Sequence, residues 1–512
     1  MRVPLTVNDF LDRAEAVSAN AVAVVDEPVQ PGAPVRTMTY ADLLMRVRAW
    51  QAGLDGLGVG EGERVAVVSH NATRLLELMY AVPSSGRVCV PVNFRLRAEE
   101  VDYIVRQSGA SALFVDPELD EPLKTVQARH RFVLGGETDE HVMRFDVAPC
   151  AWSDPQEDAT ATINYTSGTT ARPKGVQITH RNIWVNAMSF GMHLRLWERD
   201  VYLHTLPMFH ANGWGLPYPL AGLGAKQVVL RKVAGAEVLR RVDEHGVTVM
   251  CGAPAVWNAV LDAAATWDGD VPGRGRVRIV CAGAPPPTRM IQRIDEELGW
   301  EFIQIYGLTE TSPIVTFNRT RPADTALPAR ERAHRLGRAG APALGVQVKI
   351  SDVGEVLVRS NVVLDRYWEN PDATSEALAS GWFHTGDGGS IDDEGHLTIS
   401  DRKKDVIITG GENVSSIEVE DCISHLTEVA EVAVIGVPDE RWGETIKALV
   451  VRTPGTEISE QDIVAHCKQR LAGFKAPTTV EFRDAIPRTA TGKVQKFRLR
   501  EPYWAGHRRG VN

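Results

Sequence analysis

A stretch of small hydroxyl residues and glycines followed by a lysine is the clearest candidate for chemistry in the sequence. Residues 165–175 read Tyr-Thr-Ser-Gly-Thr-Thr-Ala-Arg-Pro-Lys-Gly, between apolar runs at 161–165 and 175–179 that are typical of strands. Glycines let backbone N–H groups approach an anion closely, the hydroxyls add donors, and Lys174 adds a positive charge. No Gly-Lys-Ser/Thr follows the first glycine at the spacing of a Walker A loop. We therefore predict a phosphate-binding loop of another kind.

Three further segments carry residues suited to a nucleotide. Tyr306 and Glu310 lie together in residues 304–311, where the ring is suited to stacking on a base and the carboxylate to Mg²⁺. Asp387 ends the run Gly-Trp-Phe-His-Thr-Gly-Asp and is suited to ribose hydroxyls, although an aspartate after glycine is also typical of a simple turn. Lys493 ends Arg-Thr-Ala-Thr-Gly-Lys near the C-terminus, where lysines are usually solvated. Each of these signals is weak when taken alone.

Alternating strand and helix patterns predict the α/β layers that must position these residues. Short apolar runs at 64–70, 88–92 and 112–116 are typical of buried parallel strands, and helical spacing at 72–84 and 99–107 separates them. Similar strand patterns recur at 227–230, 247–251 and 277–281. The sequence therefore predicts a layered α/β fold.

The character of the sequence changes near Gly386. Predicted helices at 417–425 and 460–471 and strands at 431–436 and 446–452 suffice for a small α+β unit. The charged residues 401–405 between the two regions fit either a solvated turn or a hinge. We predict a large N-terminal domain of layered α/β subdomains, residues 1–401, and a small mobile C-terminal α+β domain, residues 402–512.

Composition excludes several other classes of protein. The chain has 512 residues and a formal net charge of -10, which argues against a general affinity for nucleic acid. The six cysteines are scattered without a Cys-x-x-Cys pair, so we predict free thiols rather than a disulfide framework or zinc site. The N-terminus lacks the apolar core of a signal peptide, and no apolar run is long enough to span a membrane. We expect a cytoplasmic protein.

Taken together, the four segments resemble the adenylate-forming superfamily of acyl-CoA synthetases, luciferases and peptide-synthetase adenylation domains. The resemblance covers essentially the whole chain and is closest to the fatty-acyl, medium-chain and aryl acyl-CoA ligases. Further matching segments are residues 207–214, 282–286, 410–413 and 441–444.

The resemblance implies a role for each matching residue. Lys493, Thr309 and His210 are implied as the catalytic set, with Lys493 bridging the carboxylate and the α-phosphate, and Glu310 is implied as the Mg²⁺ ligand. The implied triphosphate loop comprises Thr166, Ser167, Gly168, Thr169, Thr170 and Lys174. The implied adenosine site comprises Gly283, Ala284, Pro285, Tyr306, Gly307, Asp387 and Arg402.

The resemblance also implies a second half-reaction. In the family the small domain rotates about a hinge after adenylation, which withdraws the lysine and presents a glycine-rich wall to coenzyme A. Lys404 matches the hinge position, and Gly410 and Gly411 match the wall. The implied reaction is ATP-dependent adenylation of an acid followed by acyl transfer to coenzyme A.

Several alternatives remain open on the sequence. We expect a fatty, medium-chain or aryl acid, because four aromatic residues suggest an apolar cavity: Trp184, Phe190, Trp214 and Tyr218. Some family members instead load a carrier-protein thiol, join an amine, or activate nitrite to diazotise an aromatic amine. A nucleotide-binding protein without catalysis is disfavoured by the presence of Lys493, Glu310 and Asp387 together. The expected state is a monomer or a homodimer.

Overall fold

A computed structural model describes residues 1–166, 173–402, 405–410, 412–439, 441–489 and 493–505, with only the backbone of Arg402. Ser167, Gly168, Thr169, Thr170, Lys404 and Gly411 lie outside the described residues. The helices are α1 (Asn8–Ser18), α2 (Tyr40–Gly56), α3 (Thr73–Ser84), α4 (Ala98–Ser108), α5 (Gly136–Val142), α6 (His180–Leu194), α7 (Ala211–Trp214), α8 (Pro217–Leu223), α9 (Gly235–His245), α10 (Pro254–Ala264), α11 (Thr288–Arg293), α12 (Ala329–Leu336), α13 (Pro371–Ala377), α14 (Ser416–Ser424), α15 (Glu460–Arg470) and α16 (Lys496–Trp504).

The strands alternate with these helices along most of the chain. They are β1 (Val22–Val25), β2 (Thr37–Thr39), β3 (Arg64–Val68), β4 (Val88–Val92), β5 (Ala110–Val115), β6 (His130–Val133), β7 (Thr160–Thr166), β8 (Lys174–Thr179), β9 (Val201–His204), β10 (Lys226–Val229), β11 (Val249–Gly252), β12 (Arg278–Cys281), β13 (Glu301–Tyr306), β14 (Thr316–Arg319), β15 (Ala341–Pro342), β16 (Val346–Ile350), β17 (Glu355–Ser360), β18 (Arg366–Tyr367), β19 (Phe383–Ile391), β20 (Leu397–Arg402), β21 (Ile407–Thr409), β22 (Glu412–Val414), β23 (Val429–Asp439), β24 (Gly443–Arg452) and β25 (Thr479–Phe482).

Two large sheets build the N-terminal part. One has nine strands in the order β15-β14-β13-β12-β11-β9-β10-β1-β2, and the other has seven in the order β18-β8-β7-β4-β3-β5-β6. Their central strands are parallel, with helices in the connections. The prediction of a layered α/β fold is confirmed.

Two smaller sheets follow. Strands β16, β17, β19 and β20 form an antiparallel sheet, and β21–β25 form the sheet of the small C-terminal unit. Helices α14 and α15 pack on this last sheet around buried residues such as Val419, Ile463 and Val434. The C-terminal unit is therefore α+β with a hydrophobic core of its own, as the sequence predicts.

Strands β7 and β8 form the phosphate-loop hairpin, from which the predicted phosphate-binding loop emerges, and local sequence determines where α6 begins after it. β7 and β8 are antiparallel, and Thr166 pairs with Lys174 at the point where the predicted loop leaves them. Thr179 then ends β8 and caps α6, because its side chain accepts a hydrogen bond from Asn182 N at 3.1 Å. Thr179 N in turn donates to Asn182 Oδ1 at 2.9 Å, which completes a capping box.

Candidate active site

Parallel strands end side by side at one edge of the nine-stranded sheet, and the segments that leave them form the candidate active site. β9, β11, β12 and β13 are neighbours, and Cys281 in β12 is in register with Gln304 in β13. In open α/β sheets ligands bind in the crevice outside the carboxyl ends of the strands. The structure places three predicted sets at this edge: His210 after β9, residues 283–285 after β12, and residues 307–310 after β13.

Gly307 allows the turn after β13 to pack tightly. A Cβ atom added at this position would lie 1.6 Å from the carbonyl oxygen of Pro313. Such a distance is far inside van der Waals contact, so any side chain forces the backbone to move. Thr309 and Glu310 follow in the same turn, and their position thus depends on the glycine.

Tyr306 and Asp387, predicted to contact the adenine and the ribose, are joined by a hydrogen bond. The Tyr306 hydroxyl donates to Asp387 Oδ2 at 2.8 Å. Asp387 is 6% exposed and lies on β19 opposite Arg402 of β20. The structure thus brings the end of β13 together with the β19–β20 pair, as an adenosine site formed by both requires.

Glu310, the predicted Mg²⁺ ligand, is oriented by a residue that the sequence analysis missed. The Tyr367 hydroxyl donates to Glu310 Oε1 at 3.0 Å, and Leu364 N donates to the Glu310 carbonyl oxygen at 2.7 Å. Burial and then the nearby Glu310 charge raise the pKa of Tyr367 well above its usual value, so the phenol stays a donor. The side chains are 57 residues apart in sequence, and no local pattern could have paired them.

Tyr367 also connects Glu310 with the phosphate-loop hairpin. It pairs with Val176 of β8, and Lys174 Nζ lies 5.1 Å from the centroid of its ring. This distance is within the range of a cation–π interaction. A carboxylate and a lysine, both suited to a Mg²⁺-bound triphosphate, are therefore held by the same aromatic side chain.

The chemistry of these groups fits a magnesium nucleotide. Mg²⁺ in ATP sites is commonly bound by one or two carboxylates together with substrate phosphates. Glu310 is a partly exposed carboxylate at the sheet edge, and Lys174 supplies a cation beside it. Across the parts of the chain that the structure describes, no group of three or more His, Cys, Asp or Glu residues could hold a metal ion.

The C-terminal lysine acts electrostatically on His210 of the large domain. Burial, and then the positive charge of Lys493, lower the pKa of His210 to about 3, so the imidazole is neutral at physiological pH. Lys493 and Thr489 are joined by two hydrogen bonds: Lys493 N donates to Thr489 Oγ1 at 3.0 Å, and Thr489 N donates to the Lys493 carbonyl oxygen at 2.7 Å. The positive charge of a small-domain residue thus acts on His210, which follows one of the parallel strands.

Gly410, predicted to line the coenzyme A path, contacts another residue of the small domain. It has a φ of +58°, follows β21, and donates from its N to the Trp442 carbonyl oxygen at 3.0 Å. An added Cβ atom would lie 2.9 Å from the Trp442 ring, which is 47% exposed. A side chain at this position would displace the exposed indole.

Residues 211–215, which directly follow His210, have a left-handed backbone. Ala211, Asn212, Gly213, Trp214 and Gly215 all have positive φ, so α7 is a left-handed turn. Left-handed conformations cost energy for residues other than glycine. Apart from Gly213 and Gly215, no residue type in this segment indicates such a turn.

Two of the aromatic residues near the predicted acyl cavity are core residues. Phe190 is fully buried and packs edge-on against Phe317, with 5.5 Å between the ring centroids. Tyr218 is fully buried, packs against Tyr80, and donates from its hydroxyl to the Met79 carbonyl oxygen at 2.9 Å. Trp214, which is 4% exposed, belongs to the same buried cluster as Phe190 and lies four residues after His210.

In the described parts of the chain, no helix combines the length and apolar character needed to cross a membrane.

Comparison with known proteins identifies the family. The family model described as "AMP-binding enzyme" matches residues 11–368, and "AMP-binding enzyme C-terminal domain" matches residues 418–493. The 2-methylpropanoate–CoA ligase CCL4 of Humulus lupulus is 35% identical over 97% of this chain and 95% of its own. The 4-hydroxybutyrate–CoA ligase 2 of Metallosphaera sedula is 34% identical over 96% and 93%.

A solved structure supports the same assignment. The anthranilate CoA ligase AuaEII in complex with anthranoyl-AMP is 27% identical and superimposes with a TM-score of 0.87, over 98% of this chain and 99% of its own. CoA ligases of this kind use ATP, Mg²⁺ and coenzyme A. The chain belongs to the AMP-binding enzyme family of the adenylate-forming superfamily and is an AMP-forming acid–CoA ligase, which adenylates an acid and transfers the acyl group to coenzyme A.

Proposed function

We propose that this ligase activates a compact aliphatic or aryl acid that carries a hydroxyl or amino substituent. The proposal rests on the buried side-chain amide of Asn212, which lies two residues after His210. Asn212 is 4% exposed, and neither Nδ2 nor Oδ1 has a hydrogen-bond partner among the described residues. Buried polar groups without a partner cost about 1–3 kcal/mol each, so a polar substituent of the acid is a natural partner.

Two other buried polar atoms lie around the same left-handed turn. Asn186 Oδ1 and Ser312 Oγ also lack a partner within the described structure. Asn186 Nδ2 donates to the Trp214 carbonyl oxygen at 3.4 Å, and an added Cβ at Gly215 would meet both Asn186 Nδ2 and the Ser312 carbonyl oxygen. The region thus combines the apolar ring of Trp214 with several polar atoms, as recognition of a substituted acid requires.

The relatives support this class of acid. The names of two of them specify acids with a hydroxyl or an amino group, 4-hydroxybutyrate and anthranilate, and that of the third specifies the branched 2-methylpropanoate. These are compact acids, whereas a long unbranched chain has no polar group to offer Asn212.

We further propose roles for the residues at the sheet edge. Glu310 binds Mg²⁺ on the triphosphate, and Lys174 with residues 166–170 binds its phosphates. Residues 283–285 with Tyr306 flank the adenine, and Asp387 with Arg402 binds the ribose. Lys493 offsets the repulsion between the substrate carboxylate and the α-phosphate. Neutral His210 and Thr309 complete the catalytic set.

For the acyl-transfer step we propose roles for residues of the small domain and for the hinge. Gly410 and Gly411 form the wall of the coenzyme A path, and Lys404 is the hinge. Residues 1–401 and 402–512 are proposed as the two moving bodies. A cytoplasmic location and a monomeric or homodimeric state stay predictions.

The test is a set of matched acids. The purified enzyme is incubated with ATP, Mg²⁺ and pairs such as butanoate with 4-hydroxybutyrate and benzoate with 2-aminobenzoate, with and without coenzyme A. Pyrophosphate, AMP and product mass are measured. We expect the substituted member of at least one pair to have a kcat/KM about tenfold higher or more, from one additional hydrogen bond.

Substitution of Asn212 tests whether this residue causes the preference for the substituted acid. Asn212→Leu should abolish the preference for the substituted acid, whereas Asn8→Leu, whose amide donates to the Ser84 carbonyl oxygen at 3.2 Å in α3, should keep it. Equal kcat/KM values for both members of every pair would contradict the proposed class of acid. A product that requires a carrier-protein thiol, an amine, or nitrite with an aromatic amine would favour those acceptors.

A further inference from the structure

The end of α14 in the small domain contacts the start of α11 in the large domain. Thr288 N and Oγ1 donate to Asp421 Oδ1 at 2.9 and 3.0 Å, and Oγ1 is also 3.2 Å from Oδ2. His425 Nε2 lies 3.3 Å from the same hydroxyl. The Asp421 carboxylate of the small domain therefore accepts hydrogen bonds from both the backbone N–H and the hydroxyl group of Thr288.

The neighbouring arginine extends the contact. Arg289 Nη1 donates to the carbonyl oxygens of Leu426 at 2.9 Å and Ser424 at 3.4 Å. These carbonyls lie at the end of α14, where a cation is favourably placed. Thr288 and Arg289 together thus form a two-point attachment for the small domain.

The large-domain side of this contact is rigidly connected to the candidate adenine turn. Residues 283–284 are followed by Pro285, Pro286 and Pro287, and then by Thr288. Prolines have a fixed φ and no backbone N–H, so the Thr288 N–H is the first backbone donor after the turn. Pro287 precedes α11 and provides no side-chain cap of its own, and Asp421 supplies the acceptor instead.

The small-domain side is connected by an ion pair to the segment that follows Lys493. Glu420, the residue before Asp421, accepts from Val434 N at 2.8 Å and forms an ion pair with Lys496 at 2.8 Å. Lys496 lies three residues after Lys493 and also approaches Asp401 Oδ1 at 3.9 Å. Two adjacent carboxylates of α14 therefore point to different partners, Asp421 to the large domain and Glu420 to the segment that carries Lys493.

We infer that Asp421, with Thr288 and Arg289 opposite, is a positioning residue for adenylation: it holds the small domain against α11 in the orientation that brings Lys493 to the reacting groups. The first half-reaction brings a carboxylate to an anionic triphosphate and so needs the cation in place. In the second, a thiol attacks an acyl-adenylate that is already activated, and Lys493 is not needed there. Loss of the contact should therefore slow the first half-reaction selectively. The inference depends on the two half-reactions and not on which acid is activated.

The experiment measures the half-reactions separately in the full chain. ATP–pyrophosphate exchange reports adenylation with whichever acid gives the fastest exchange in the wild type, and single-turnover acyl transfer from supplied acyl-adenylate to coenzyme A reports the second step. We expect Asp421→Ala to slow exchange about tenfold or more, the effect of losing hydrogen bonds to a charged group. Acyl transfer should stay within about twofold of wild type. Asp421→Asn, which keeps an oxygen acceptor, should restore part of the exchange rate.

The matched control lies one turn earlier on the same helix. Glu418→Gln breaks an ion pair with Lys475, 2.8 Å away within the small domain, and should leave both half-reactions unchanged. If Asp421→Ala does not fold, Thr288→Val removes the hydroxyl contacts from the other side and should slow exchange severalfold. Equal losses in both half-reactions, or no loss in either, would overturn the inference. Failure of the proposed acid class would instead appear in the wild type, as a different preferred acid.

Discussion

Replacing Tyr367 with phenylalanine removes one hydroxyl group from the candidate active site and leaves the ring in place. This hydroxyl lies 3.0 Å from Glu310 Oε1. Without its donor the carboxylate loses a fixed orientation, and it would then be a poorer ligand for Mg²⁺ on the triphosphate. We expect Tyr367→Phe to require a higher Mg²⁺ concentration for adenylation.

The size of the effect follows from the contacts of Tyr367. A hydrogen bond to a charged group contributes about 1.5–3 kcal/mol. Because Glu310 is partly exposed, we use the lower end, about 1.5 kcal/mol, which corresponds to about a tenfold change in an equilibrium constant. Tyr367→Leu also removes the ring 5.1 Å from Lys174 Nζ. A cation–π contact of about 0.5–1 kcal/mol adds roughly a two- to fivefold effect.

The assay is ATP–pyrophosphate exchange at fixed ATP over a range of Mg²⁺ concentrations. The half-saturating Mg²⁺ concentration should rise about tenfold in Tyr367→Phe and further in Tyr367→Leu. Tyr503→Phe is the matched control, since it removes another tyrosine–glutamate hydrogen bond, to Glu481 in the small domain. An unchanged Mg²⁺ dependence in Tyr367→Phe, or an equal shift in the control, would refute the role of Tyr367.

Two further predictions concern the stability of the fold. Gly307→Ala should lower the free energy of unfolding by about 2–3 kcal/mol and reduce exchange, because its Cβ would lie 1.6 Å from the Pro313 carbonyl oxygen. Gly136→Ala, with no atom within 4 Å of the added Cβ, should be neutral in the same urea unfolding experiment. Burial lowers the pKa of His180 to about 3 and of His204 to about 4. Below their unfolded pKa of about 6.5 the unfolded chain therefore binds more protons than the folded chain, so stability falls as the pH is lowered. Between pH 7.5 and 5 each should cost about 2 kcal/mol, and His204→Gln should remove about half of this combined loss; a slope unaffected by that variant would contradict the assignment.

The sequence predicted the elements of the site well because their signals are local. The apolar run at 88–92 became β4 without change, and the predicted strand at 64–70 became β3, ending at Val68. The small-domain helix predicted at 460–471 ends one residue earlier, at Arg470. Such differences arise because the hydrogen-bonded ladder or turn, and not the apolar pattern, determines where an element ends.

The contacts between distant segments could not be predicted in this way. Tyr367 meets Glu310 across 57 residues, and Thr288 meets Asp421 across 133. Periodicity indicates which face of an element is buried, and not which element lies against it. The resemblance implied roles for Glu310 and Lys493, whereas their hydrogen bonds with Tyr367 and Thr489 became visible only in the folded structure.

The most direct test of the proposed mechanism uses Lys493, the small-domain lysine whose charge acts on His210 at the sheet edge. In Lys493→Ala, acid-dependent ATP–pyrophosphate exchange should fall by about a hundredfold or more, as expected when a charged group aimed at the transition state is lost. Acyl transfer from supplied acyl-adenylate to coenzyme A should stay within about twofold of wild type. Exchange that survives the substitution, or an equal loss in both steps, would contradict the assignment of Lys493 to adenylation at this edge.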